Sequence, residues 1–361
     1  MIRRALLAAA GVALPLASYG VVVRRAADRV FAARRRAPGE DALGPALDAL
    51  GGEVVRIRSR DGLRLSARWL PASPPDDGAW RPDPRDAIVV LHGWSGSVAP
   101  DLVEFGPFLR RTAGVLGLDF RGHGDSDDGP TTFGLREVDD VGGALAWLGE
   151  RGIRRVALFG TSMGAIVALA SVAVLGDGTL AGAEVDPDAP AAPLPAPRPQ
   201  IAAVVAESVP AELPTVVAGR MPARLPAAVR RRLARRVFGT AGARFGGDPR
   251  ATEPIRIAPL VGPVPVLLIS GAADELVPVD DGRRLAAALG PGAEWWLVPG
   301  ARHSRAHEAS PEAHEARVTA FLRRAFDAAQ GGPGDAGILA AARPPSPIRG
   351  APAAEEPDQG G

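Results

Sequence analysis

The pentapeptide Gly160-Thr161-Ser162-Met163-Gly164 is the stretch whose residue types and spacing bear most directly on chemistry. The apolar run Val156-Ala157-Leu158-Phe159 precedes it and Ala165-Ile166-Val167-Ala168-Leu169-Ala170 follows it. That reads as strand, sharp turn and helix, with a serine at the apex. So tight a turn forces unusual backbone angles and close approach, and small residues are needed two positions either side of the serine. The turn lifts the hydroxyl clear of the sheet and leaves the Met163 N–H facing the same space. One turn thus supplies a nucleophile and half an oxyanion hole. A G-x-S-x-G string alone is a weak signal in a chain with 44 glycines. Its meaning depends on a base, an acid and a second oxyanion donor elsewhere.

A serine is a poor nucleophile at neutral pH until a neighbouring base takes its proton. The chain has five histidines: His92, His123, His303, His307 and His314. His303 follows the run Trp295-Trp296-Leu297-Val298 through the loop Pro299-Gly300-Ala301-Arg302. Loops at the C-terminal ends of strands are where open α/β sheets build their sites, so His303 is the expected base. His314 falls in a helical stretch after Pro311, where a solvated histidine is expected. The imidazole needs a carboxylate to hold one tautomer. Asp274, in the loop after the strand Val264–Ser270, is preferred over Glu275, Asp280 and Glu207, because its strand directly precedes that of His303. The second oxyanion donor is expected from the loop His92-Gly93-Trp94-Ser95-Gly96-Ser97, with the Trp94 N–H opposite that of Met163. His92 itself reads as a buried histidine bracing that loop.

Composition narrows the alternatives. All 42 basic residues are arginine, which removes Schiff-base, Ser–Lys and P-loop chemistry. The absence of cysteine removes thiol catalysis and Cys-ligated zinc. A net charge of +1 gives no case for nucleic acid as a partner. Gly93-Trp94-Ser95-Gly96 only loosely mimics a dinucleotide loop, and the sole tyrosine, Tyr19, lies in the leader. A metal on His303, His307 and His314 is opposed by the break at Ser310-Pro311. No metal or organic cofactor is expected.

The elements that must position these residues are a hairpin about Asp61-Gly62 and then strand runs alternating with amphipathic helices. The strands are expected at Ala87–Leu91, Val115–Phe120, Val156–Phe159, Ile201–Glu207, Val264–Ser270 and Glu294–Val298. Solid apolar runs separated by helices imply a mostly parallel sheet covered on both faces, one α/β domain over residues 51–329. Within it, residues 176–200 are a Pro-rich insertion and residues 210–263 a helical cap. The cap carries Leu225, Val229, Leu233 and Val237 at four-residue spacing opposite a row of arginines. Residues 330–361 are expected to be a disordered tail. Residues 1–36 are expected to stand outside the catalytic fold. The uncharged run Ala5–Val23 between arginines would reach roughly 28 Å as a helix, about one bilayer core. A single membrane anchor is expected, with a cleaved export signal and a soluble packing helix as the other readings; which side of the membrane the domain occupies stays open.

Taken in order, these motifs resemble the α/β-hydrolase fold. The resemblance rests on Leu91-His92-Gly93-Trp94, Asp119-Phe120-Arg121-Gly122-His123-Gly124-Asp125-Ser126, the Ser162 turn, Pro265–Gly271 with Asp274, and Gly300 with His303. It covers roughly residues 54–329, and is most similar to serine hydrolases with an N-terminal hydrophobic segment, the BEM46-like and serine aminopeptidase-like members. It implies hydrolysis of an acyl ester, with Ser162, His303 and Asp274 as the triad. A peptidase or amidase, and a non-catalytic binding protein on the same fold, are the alternatives. The Asp119–Ser126 turn is implied to shape the loop rather than react.

Overall fold

A computed structural model describes residues 20–33, 35–37, 39–74, 80–94, 96–176, 198–245 and 247–330. The Pro-rich insertion (apart from its first residue and residues 198–200), the residues from 331 onward and most of the Ala5–Val23 run lie outside the described residues. Eight strands form one sheet in the order β1-β2-β4-β3-β5-β6-β7-β8. They are β1 (Glu53–Arg58), β2 (Arg64–Leu70), β3 (Asp86–Leu91), β4 (Gly114–Leu118), β5 (Arg155–Thr161), β6 (Gln200–Glu207), β7 (Val266–Gly271) and β8 (Ala293–Val298). The hairpin β1–β2 joins β4 antiparallel, and every pair from β4 to β8 is parallel. β3, β4 and β5 are buried at every position, because helices cover both faces and no side is left for polar alternation.

The helices are α1 (20–30), α2 (Gly44–Leu50), α3 (Ala99–Leu109), α4 (Glu137–Glu150), α5 (Met163–Leu175), α6 (Pro214–Gly219), α7 (Ala227–Phe245), α8 (Pro254–Ile257), α9 (Val279–Leu289), α10 (Ala306–Ala309) and α11 (Pro311–Gln330). The chain goes from β3 outward to β4 and then returns across β3 to β5. This reversal puts the loops after β3 and β5 side by side at the C-terminal edge, where such sheets open a crevice. The Ser162 turn and the His92-Gly93-Trp94 loop therefore meet there.

The connection from β6 to β7 is helical throughout its ordered elements and lies over that edge. Thr252 Oγ donates to Phe133 O at 2.9 Å, Ala211 N–H donates to Asp281 Oδ2 at 2.9 Å, and Gly219 packs on Leu276. The stripe of α7 differs from the four-residue expectation. Ala234, Val237 and Phe238 are buried, whereas Val229 is 48% exposed. A four-residue step overshoots the 3.6-residue turn, so Val229 rotates off the buried face that Val237 occupies, and Leu225 precedes the helix altogether.

The N-terminal segment also departs from expectation. Val23, Ala27, Val30 and Phe31 are buried in the main core at helical spacing. Phe31 meets Phe133 and Phe238 edge-on. Arg35 donates to Ser126 O at 2.7 Å, and Glu40 accepts from Ser97 N–H and Oγ at 3.1 and 2.8 Å. Residues 20–33 and 35–36 thus pack against the folded body, and Arg35 and Glu40 brace the loops after β4 and β3. Apolar contacts at every third or fourth residue drive this docking, which the flanking arginines had hidden. Among the described residues no helix is long and apolar enough to cross a membrane.

Candidate active site

The turn between β5 and α5 holds Ser162 at φ 50° and ψ −108°, a conformation that β-carbon-bearing residues adopt only under constraint. Both flanking glycines are obligatory. A Cβ on Gly160 would lie 2.4 Å from the Gly164 carbonyl carbon, and one on Gly164 would lie 1.9 Å from Leu91 O. The strand, turn and helix can close only because neither side chain exists. Ser162 N–H donates to Glu207 O at 2.8 Å, which pins the turn to β6. The Thr161 hydroxyl donates to Asp101 at 2.9 Å. Burial pushes the Asp101 carboxyl up to about 7, and Glu104 and Glu207 nearby add to the shift against the hydrogen bond from Thr161.

His303 Nε2 stands 3.0 Å from Ser162 Oγ. Its Nδ1 stands 2.9 Å from Asp274 Oδ2 and 3.0 Å from Oδ1. The carboxylate partner assigns the proton to Nδ1 and leaves Nε2 to accept the serine proton. The two loops meet because β7 pairs with β8. Ala272 N–H donates to Val298 O and Ala273 N–H to Ala301 O, each at 2.9 Å. Burial alone would raise the Asp274 carboxyl. The hydrogen bond and charge of His303, with the Val277 and Leu276 N–H groups, outweigh it and hold Asp274 below the usual carboxylate range. Asp274 therefore stays ionised beside the imidazole. Among the described residues the other nearby carboxylates serve elsewhere: Glu275 accepts from the His303 backbone N–H, and Asp280 pairs with Arg283.

Met163 is the first residue of α5, so its N–H has no partner within the helix and sits at the positive end of the helix dipole. Gly93 packs against Ser162 and Thr161, which places the loop carrying Trp94 beside the same turn. His92 accepts from Phe120 N–H at Nε2 and contacts Gly93 O at Nδ1. Burial, and secondarily His123, lower it to about 3, so it is a neutral brace. The Asp119 carboxylate accepts from Val98 and Asp125 N–H, and Arg121 binds Asp140 and Asp61. These are loop braces as well.

Sequence reasoning misplaced His314, and it weighed Glu207 only as an alternative to Asp274 without seeing its partner. His314 is completely buried instead of solvated, with Nε2 3.2 Å from Glu207 Oε2. Glu207 Oε1 accepts the Ala306 N–H at 2.9 Å, three residues beyond His303, and Ser208 Oγ accepts that of Ser304 at 2.9 Å. The pair thus anchors the His303 loop from beneath. His307 turns to Glu104 and Glu315, so the three late histidines point to three different partners. Among the described residues no group of His, Asp and Glu is arranged to hold a metal ion.

The sequence matches the alpha/beta hydrolase family over residues 88–317. The chain belongs to the alpha/beta hydrolase family. Solved structures agree on this hydrolase fold. An esterase from Pyrococcus furiosus is 25% identical, with a TM-score of 0.55, over 77% of this chain and 94% of that one. A bacterial membrane phospholipase A is 18% identical with a TM-score of 0.53, covering 90% and 100%. A proline iminopeptidase from Mycobacterium smegmatis is 19% identical with a TM-score of 0.52, covering 77% and 100%. The last two speak to the fold alone. No curated protein matches the sequence.

Proposed function

We propose that the protein is a serine hydrolase that cleaves carboxylic esters through an acyl-enzyme. The observation that carries this reading is the continuous chain from Ser162 Oγ to His303 Nε2 and from His303 Nδ1 to Asp274, with both links near 3 Å. His303 takes the Ser162 proton as Oγ attacks the ester carbonyl. Asp274 holds the imidazole in the productive tautomer and stabilises its charged form. The N–H groups of Met163 and Trp94 receive the oxyanion, each such donor being worth roughly 3 kcal/mol in the transition state. His303 then protonates the departing alcohol. Water, deprotonated by the same imidazole, releases the acid and restores Ser162.

An ester is favoured over an amide by the likeness to the Pyrococcus esterase. The test is a panel of p-nitrophenyl esters of increasing acyl length set against aminoacyl p-nitroanilides. Turnover of esters that disappears in Ser162→Ala is expected. Faster turnover of the anilides would make the protein an amidase, and wild-type ester turnover by Ser162→Ala would remove the serine from the mechanism.

A further inference from the structure

The outward face of α7 is a second concentration of chemistry, distinct from the triad. Arg231, Arg232, Arg235 and Arg236 stand in two rows one helical turn apart, with the small residues Ala228 and Gly239 at either end. With Arg250 they line an open concavity of about 750 Å³. Val229 and Leu233 border a second hollow of about 340 Å³ that shares Arg232 and Arg236.

Internal neutralisation of this charge is incomplete. Arg235 pairs with Glu212 at 3.2 Å and Arg250 with Asp248 at 2.6 Å. Arg231, Arg232 and Arg236 are exposed and have no acidic partner among the described residues. The nineteen residues of α7 include no Asp or Glu. Like charges at i and i+4 weaken a helix, so this face costs the isolated fold stability. An external anion would relieve that repulsion.

The surroundings favour a surface over a small solute. Val229 is 48% exposed beside the arginines, which is the mixture of apolar and cationic groups that lies well at a bilayer interface. On the inner side, Phe238 of α7 meets Phe31 at 5.4 Å, so α7 packs against the segment that ends α1. That helix exposes Val21 at 50%, Val22 at 57%, and the side chains of Arg24 and Arg25. The uncharged run Ala5–Val23 feeds directly into it. We propose that the arginine face of α7 docks the cap on the phosphates of an anionic phospholipid surface. The docking is independent of the chemistry at Ser162.

The test is sedimentation of the full chain with vesicles of phosphatidylcholine alone or mixed with phosphatidylglycerol. Each arginine near an anionic surface is worth about 1 kcal/mol, or roughly fivefold in partitioning. Partitioning should therefore favour the anionic vesicles, weaken with salt, and fall by more than roughly a hundredfold in Arg231→Glu/Arg232→Glu/Arg236→Glu. None of the three residues makes an ion pair among the described residues, and their like-charge repulsion is relieved, so the melting temperature should not fall and the hydrolysis of a soluble ester should be unchanged. Arg231→Gln/Arg232→Gln/Arg236→Gln, with a fall of roughly a hundredfold, provides the reading if charge reversal unfolds the cap. Equal partitioning of wild type and both variants would overturn the proposal, since the N-terminal run would then carry all binding. Equal affinity for the two vesicle types would overturn it too, as would stabilisation by inorganic phosphate with no vesicle preference.

Discussion

Replacing Gly164 by alanine tests the geometry of the turn at a single atom. A Cβ there would lie 1.9 Å from Leu91 O, 2.5 Å from Leu91 C and 2.9 Å from His92 O. Restoring ordinary contact at about 3.4 Å requires a displacement of roughly 1.5 Å between α5 and β3. Both elements are buried on all sides, so neither retreats alone. Overpacking of this kind costs about 3 kcal/mol. The same displacement separates the Met163 N–H from the His92-Gly93-Trp94 loop, and a shift of about 1 Å costs on the order of a hundredfold in rate. We therefore expect Gly164→Ala to lose about 3 kcal/mol in urea unfolding, and its folded fraction to hydrolyse p-nitrophenyl butyrate at least a hundredfold more slowly. Gly93→Ala is the control, because its Cβ would meet Ser162 Cβ and Thr161 O at an ordinary 3.7 Å. It should cost less than about 1 kcal/mol and leave the rate within about tenfold. A Gly164→Ala protein of wild-type stability and rate would refute the account of the turn.

Other outcomes follow from the same geometry. Asp274→Asn keeps the shape but lets His303 adopt the other tautomer, so kcat should fall by on the order of 10⁴ with little change in stability, as measured by ester turnover and thermal melting. Glu207→Ala would strand the Ala306 N–H and His314 in the core. A loss of about 3–5 kcal/mol is expected in chemical denaturation, against a smaller loss for Glu207→Gln, which keeps an acceptor for Ala306. His92 titrates near 3 when folded, against about 6.5 unfolded. Its contribution is complete above pH 6.5 and is lost as the pH falls toward 3. That amounts to at most about 5 kcal/mol, and the loss between pH 7 and 4.5 should be about 3 kcal/mol smaller in His92→Gln.

The strands and the turn at Ser162 were legible because their signals are local. Solid apolar runs mark β3 through β7, and the two glycines mark a place where no Cβ fits. The juxtaposition of His303, Asp274 and Ser162 could be argued from loop order, since loops at one end of adjacent parallel strands must be neighbours. Burial of His314 could not, because its partner Glu207 is 107 residues away and the helix around His314 reads as amphipathic. The docking of residues 20–33 was hidden for a different reason. Arginines crowd that stretch, and the four residues that anchor it, Val23, Ala27, Val30 and Phe31, form a stripe too narrow to dominate its composition. The buried face of α7 slipped because a four-residue repeat was followed past the point where a 3.6-residue helix rotates away from it.

The central claim is that Ser162 is an activated nucleophile. Incubation with a fluorophosphonate, followed by intact-mass measurement and peptide mapping, tests it most directly. The account predicts one covalent adduct, located on Ser162, absent in Ser162→Ala and formed far more slowly in a folded His303→Ala variant. A folded wild-type protein that takes up no label, or takes it up on another residue, would contradict it.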